Sequence, residues 1–155
     1  MKYPIGIQSF DQIIEDGYVY IDKTDLVYQL THEGKIYFLS RPRRFGKSLL
    51  VSTLEHYFLG HKELFKGLKI DQLEKDWDVY PVFHVDFNGS NFTQAGVLEE
   101  RLEDYVSDWE TRYGLTSEAD RLDVGGRFIK VLRAAHEQTG RRAVVLIDEY
   151  DKPIL

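Results

Sequence analysis

Apolar and polar positions alternate along the chain in two rhythms, one helical and one strand-like. Residues 9–16 read as a short helix with Ser9 as N-cap and Gly17 ending it. Residues 18–21 (Tyr-Val-Tyr-Ile) form a β-type run leading into Asp22, Lys23 and Thr24. From Thr24 onward, Leu26, Val27 and Leu30 fit helical spacing up to Gly34, with Asp22 or Thr24 as the N-cap. Residues 36–39 (Ile-Tyr-Phe-Leu) are a short apolar strand candidate, followed by a loop that ends in Gly46-Lys47-Ser48. Leu49, Leu50, Thr53, Leu54, Tyr57 and Phe58 then recur as the core face of a helix that stops at Gly60.

The second half repeats the alternation. Residues 64–77 are mixed, anchored by Phe65, Leu68, Ile70 and Trp77. Residues 81–87 form a second strand candidate, closed by the polar turn 88–91. Residues 94–113 are helical, with Val97, Leu98, Leu102, Tyr105, Val106 and Trp109 on one face. Residues 121–139 form another helix, carrying Phe128, Val131, Leu132 and Ala135 and stopped by Gly140. Residues 143–147 (Ala-Val-Val-Leu-Ile) are unbroken apolar, the pattern of a strand buried on both faces in a parallel sheet. Strands separated by helices predict an α/β fold with a mostly parallel sheet.

Two of these strands end in residues with chemistry. Strand, glycine loop and helix in succession are the context of a phosphate-binding loop. There, backbone N–H groups and the helix N-terminus would surround phosphate, Lys47 would reach its oxygens, and the Ser48 hydroxyl would bind Mg²⁺. Arg43, Arg44, Phe45, Gly46 and Leu49 complete that segment. The pattern G-x-x-x-x-G-K-[ST] lacks its first glycine: Arg41 stands there, and Pro42 sets the entrance instead. The plain alternative is a solvated basic turn. The 143–147 strand runs into Asp148 and Glu149, as a Walker B element does. Asp148 would hold Mg²⁺, and Glu149 would orient or deprotonate the attacking water. Both clusters end strands of one parallel sheet, so they fall on the same edge. Asp86, ending the 81–87 strand, stands where such sheets place ligands, and is otherwise an ordinary strand-end carboxylate. His84 reads as a core or edge histidine. His56 and His61, five apart, read as surface residues rather than metal ligands.

Composition narrows the class. The 155 residues are 43% hydrophobic and 14% aromatic, enough for a folded core. The absence of cysteine excludes disulfides and thiolate metal sites and fits a reducing compartment. A net charge of −6 argues against a general nucleic-acid surface, leaving Arg41, Arg43, Arg44 and Lys47 as a local basic cluster. No secretory signal or membrane-length apolar run of about 18 residues is visible, so a cytoplasmic location is expected.

Several segments together resemble a known group. Ile5-Gly6, the run Tyr20-Ile-Asp-Lys-Thr24, the loop from Phe38 to Ser48 and the run from Leu146 to Leu155 are similar to the predicted AAA-ATPase-like family of bacteria and archaea. The resemblance implies a P-loop NTPase three-layer sandwich that binds ATP and Mg²⁺, and in that family an arginine at the loop entrance is usual. It assigns Lys47 and Ser48 to phosphate and Mg²⁺, Asp148 to the Walker B acid, and Glu149 to the catalytic carboxylate. It sets the Asp22 to Thr24 segment near the adenine. It further implies that longer members often carry a PD-(D/E)XK-type nuclease domain after the ATPase part. The expected layout is lead-in helices over residues 1–34 and a partial P-loop core over residues 35–155. Later strands would lie beyond the chain, and an unpaired sheet edge would favour self-association. Two other readings stay open: a non-hydrolysing, nucleotide-dependent interaction module, and a nucleic-acid-associated ATPase coupled to a nuclease domain.

Overall fold

The computed structural model describes residues 2–3, 9–33, 47–87, 96–117 and 121–148, with the backbone alone at Glu33, Lys47 and Ser48. Helices and a parallel two-stranded sheet make it a mixed α/β protein. The chain divides into two compact units, Met1–Val79 and Tyr80–Leu155.

The first unit is helical. It contains α1 (Phe10–Glu15), α2 (Thr24–Glu33), α3 (Lys47–Phe58), a 3-10 turn (Lys62–Phe65) and α4 (Lys69–Leu73). Its core is aromatic: Phe10 lies 4.7 Å from Phe65 and Phe65 lies 5.2 Å from Trp77, centroid to centroid, with Val27, Tyr57, Leu64 and Ile70 buried around them. Ser9 occupies the N-cap position of α1, but its hydroxyl bonds to Asp11 and caps nothing. The Phe10 N–H instead donates to Ser52 Oγ at 2.9 Å, so α3 supplies the cap.

The β-type run at 18–21 is not a strand among the described residues. Gly17 turns left-handed at φ 72°, and the Tyr18 N–H closes α1 by donating to Ile13 O at 2.9 Å. One isolated bridge to Lys2 remains, and the Tyr20 ring packs against Phe10 at 5.4 Å. Burial pushes the Tyr20 phenol up to about 12, against an opposing hydrogen bond with Thr53.

Asp22 and Thr24 tie α2 to α4. Asp22 Oδ1 accepts from the Thr24 N–H at 3.0 Å and from its hydroxyl at 2.6 Å. Asp22 Oδ2 accepts from the Lys69 N–H at 2.8 Å, and the fully buried Thr24 Oγ1 accepts from the Ile70 N–H at 3.1 Å. Asp22, just before α2, and Thr24, its first residue, thus satisfy orphan N–H groups of another helix.

The second unit holds β1 (Val82–Asp86), α5 (Val97–Arg112), α6 (Val124–Thr139) and β2 (Val144–Asp148). The two strands pair in parallel from Val82 opposite Val144 to Asp86 opposite Asp148. The helices start later than the apolar pattern suggests. Gly96, left-handed at φ 82°, precedes α5, and Asp123 caps α6 through the Gly126 N–H at 2.8 Å. Phe83, Val85 and Phe87 bury against Val106, Trp109, Val131 and Ala135. The expectation that β2 is buried on both faces is not met. Val145 and Ile147 are 38% and 47% exposed, because the buried cluster gathers around β1. The strand candidate at 36–39 lies outside the described residues.

Helices α5 and α6 share a buried ion cluster. Arg127, 2% exposed, donates to Glu110 Oε1 at 2.5 Å and Oε2 at 3.3 Å, and also to Glu103. Hydrogen bonds from Arg127 hold the Glu103 carboxyl below the usual range, and bonds to Glu110 and then Glu103 raise the arginine's own affinity for its proton. Removing the arginine would leave Glu110, 7% exposed at its side chain, without that cation.

Two predictions follow from these contacts. Arg127→Met should destabilise the second unit by about 3–5 kcal/mol, since one charge of a buried set is left behind. An Arg127→Met/Glu110→Leu double variant should regain most of that loss in urea titrations. Equal losses in the two variants would show that packing rather than charge is at stake. At Asp22, burial pushes the carboxyl up, but hydrogen bonds from the Thr24 side chain and backbone and from the Lys69 backbone outweigh it and hold it low. Its contribution is therefore complete above the unfolded carboxylate value of about 3.9 and disappears as pH falls through the lower folded value. Thermal melts across the acid range should show a shallower acid limb in Asp22→Asn than in the parent.

Candidate functional site

The sequence points to two clusters, one in each unit. In the first unit, Lys47 and Ser48 are the opening residues of α3. Arg43, Arg44, Phe45 and Gly46 lie outside the described residues, as do the side chains of Lys47 and Ser48. Leu49 is half-buried and packs toward the aromatic core. No acidic residue stands in the first turn of α3, so nothing there opposes an anion at the positive end of the helix.

The core holds this helix from several sides. Ser52 caps α1, and Thr53, 2% exposed, donates to Leu49 O at 2.8 Å. Val51, absent from the apolar pattern read above, is also buried. Tyr57 donates to the buried Glu74 at 2.5 Å. His56 and His61 are not simple surface residues. Their Nδ1 atoms lie 2.9 Å apart, one donating and the other accepting, and His56 Nε2 is 3.6 Å from Asp11 Oδ1. Among the described residues, no group of three or more His, Cys, Asp or Glu could hold a metal ion.

In the second unit, Asp148 is the last residue of β2 rather than the first after it. It is 6% exposed, and its Oδ1 has no hydrogen-bond partner among the described residues. An ionised carboxylate removed from water without a partner is strongly disfavoured, and such an orphan calls for a cation or water to complete it. A hard, oxygen-seeking divalent ion suits that donor. The residues present therefore fit Mg²⁺ as far as they are described, while Glu149 lies outside them.

Beside Asp148 stands Asp86, its register partner. The Asp86 N–H donates to Tyr105 Oη at 3.1 Å. Its carbonyl accepts from Arg101 Nε at 3.2 Å, Arg101 Nη2 at 3.0 Å and Tyr105 Oη at 3.2 Å. The next residue resumes the ladder, as the Phe87 N–H donates to Asp148 O at 3.2 Å. Arg101 and Tyr105 went unnoticed in the sequence. Their spacing of four on α5 was the available signal, since it places both on one helix face. Asp22 and Thr24, set near adenine by resemblance, make the α2 to α4 tie described above.

Comparison with known proteins adds to this picture. The chain is 44% identical over 156 residues to an uncharacterized protein in the vnfD 5′ region of Azotobacter chroococcum mcd 1, covering 99% of this chain and 30% of that protein. The chain thus spans about a third of the length of the curated relative it matches. No solved structure matches it. Among the described residues, no helix is long and apolar enough to cross a membrane. A family model described as "Predicted AAA-ATPase" matches residues 4–155, and the chain belongs to that family.

Proposed function

We propose that this chain is the nucleotide-binding part of a Mg²⁺-dependent ATPase built on a P-loop NTPase sandwich. The observation that carries the reading is the buried, unpartnered Oδ1 of Asp148 at the C-terminal end of a parallel strand. That is the sheet end at which open α/β folds bind ligands. The family match and the Gly46-Lys47-Ser48 sequence opening α3 support it.

In this reading the loop N–H groups and the start of α3 bind the phosphates, and the Lys47 ammonium offsets their charge. Ser48 and Asp148 would hold Mg²⁺, which when bound neutralises charge developing on the phosphate oxygens. Glu149 accepts the proton of the attacking water or orients it. Phosphoryl transfer depends mainly on such positioning and charge stabilisation, so few residues are needed. Arg43 and Arg44 supply further donors of the planar kind that suits phosphate. The nucleotide is thus the first partner. The cytoplasmic setting, a self-associating sheet edge and coupling to a further domain in a longer protein belong to the same proposal.

Calorimetric titration of Mg·ATP tests it. The parent should show saturable binding, and Lys47→Ala should weaken it at least tenfold, about 1.4 kcal/mol. Glu149→Gln should retain binding and lose turnover. Undiminished affinity in a folded Lys47→Ala chain would overturn the phosphate assignment.

A further inference from the structure

The reading above gives Asp148 a task and leaves Asp86 without one, although the fold places them side by side. Residues in register on neighbouring parallel strands project from the same face of the sheet, and the strands are about 4.8 Å apart. The Asp86–Asp148 pair therefore sets two carboxylates on one face, at one end of the sheet. Neither strand's packing calls for this arrangement, since the apolar pairs Val82–Val144, Phe83–Val145 and Val85–Ile147 already define the register.

Two observations make the pair more than an acidic cluster. Asp148 is 94% buried in effect, at 6% exposure, and its Oδ1 lacks a partner among the described residues. Asp86 is held on both sides of its strand. β2 takes one edge, while on the other Arg101 and Tyr105 of α5 donate three hydrogen bonds to the Asp86 carbonyl and Tyr105 Oη accepts one from its N–H. Such bracing fixes where the Asp86 carboxylate emerges, as a site on a regular element requires.

We infer that Asp86 and Asp148 together form a two-carboxylate edge that holds one divalent cation, with Asp86 as its second acidic group. The inference rests on the reading of Asp148 as the cation residue. A small hard dication keeps several waters and is bound through one or two carboxylates. Asp86 acts on the cation directly or through one of its waters. Two aspartates match the dication's charge. Arg101 and Tyr105 are positioning residues, acting through the peptide they hold.

The test uses Mn²⁺ alone as probe, without nucleotide, on the whole chain. Electron paramagnetic resonance of free Mn²⁺ counts bound ions in the parent, Asp86→Asn, Asp86→Ser and Asp148→Asn, with circular dichroism checking each fold. One bound ion is expected in the parent, held at least tenfold more weakly in every variant. The melting temperature of Asp86→Asn should respond less to added Mn²⁺ than that of the parent. The inference is overturned if the parent binds no Mn²⁺, or if both Asp86 variants bind it as the parent does. Should Asp148→Asn not fold, the Asp86 variants decide alone. A parent that binds Mn²⁺ through both aspartates but ignores ATP would sink the ATPase reading and leave this site standing. A parent that binds Mg·ATP while its Asp86 variants keep full Mn²⁺ affinity would sink this inference and leave the ATPase reading standing.

Discussion

The pairing of β1 with β2 is the constraint on which the second unit depends. Side chains alternate faces along a strand, so a slip of one residue would carry Asp148 to the opposite face. Three features resist that slip. Phe83 and Val85 bury against α5 and α6, the Phe87 N–H continues the ladder to Asp148 O, and Arg101 and Tyr105 grip the peptide of Asp86. Apolar burial chooses the register, and polar contacts at the strand end hold it where chemistry would occur.

The second unit handles buried charge in two contrasting ways. Around Arg127, opposite charges lie in contact, and Glu110 neutralises the guanidinium through both of its oxygens. That cluster is complete within α5 and α6 and has structural work to do, since it joins the two helices. At Asp148 the fold withdraws a carboxylate from water and provides no cation among the described residues. Among the described residues, buried charge is paired in the one place, and Asp148 Oδ1 is left without a partner in the other. Exchange of stability for function is expected where a ligand completes the site.

Much of this was legible in the sequence, for identifiable reasons. Helices α2, α3 and α6 carry enough apolar residues at 3.6 spacing for burial to override local ambiguity, and the α6 cap at Asp123 leaves two glycines in its first turn without harm. The strands at β1 and β2 were readable from short apolar runs ended by carboxylates. The run at 18–21 misled because β-branched and aromatic residues describe a half-buried surface rather than a ladder. Here the Tyr18 N–H is already used to close α1, which no residue-type preference could show. The tie from Asp22 and Thr24 to Lys69 and Ile70 spans over forty residues and is a tertiary fact. For the site, residue types marked Asp148 as a candidate, but its isolation and its register partner required the sheet.

The first unit shows how a helix start can be made firm from its far side. Phosphate binding at a helix N-terminus needs N–H groups already aligned, since ordering them on binding would subtract from affinity. α3 begins at Lys47, and hydrogen bonds fix it further along: Ser52 to Phe10, Thr53 to Tyr20, Tyr57 to Glu74. Because helix hydrogen bonding is cooperative, anchoring the middle and end of twelve residues also orders the beginning. The aromatic core around Phe10 and Phe65 therefore serves the start of α3, and Leu49 and Leu50 pack against it directly. Weakening that core would loosen the alignment of the first N–H groups, even where Lys47 and Ser48 themselves are unchanged.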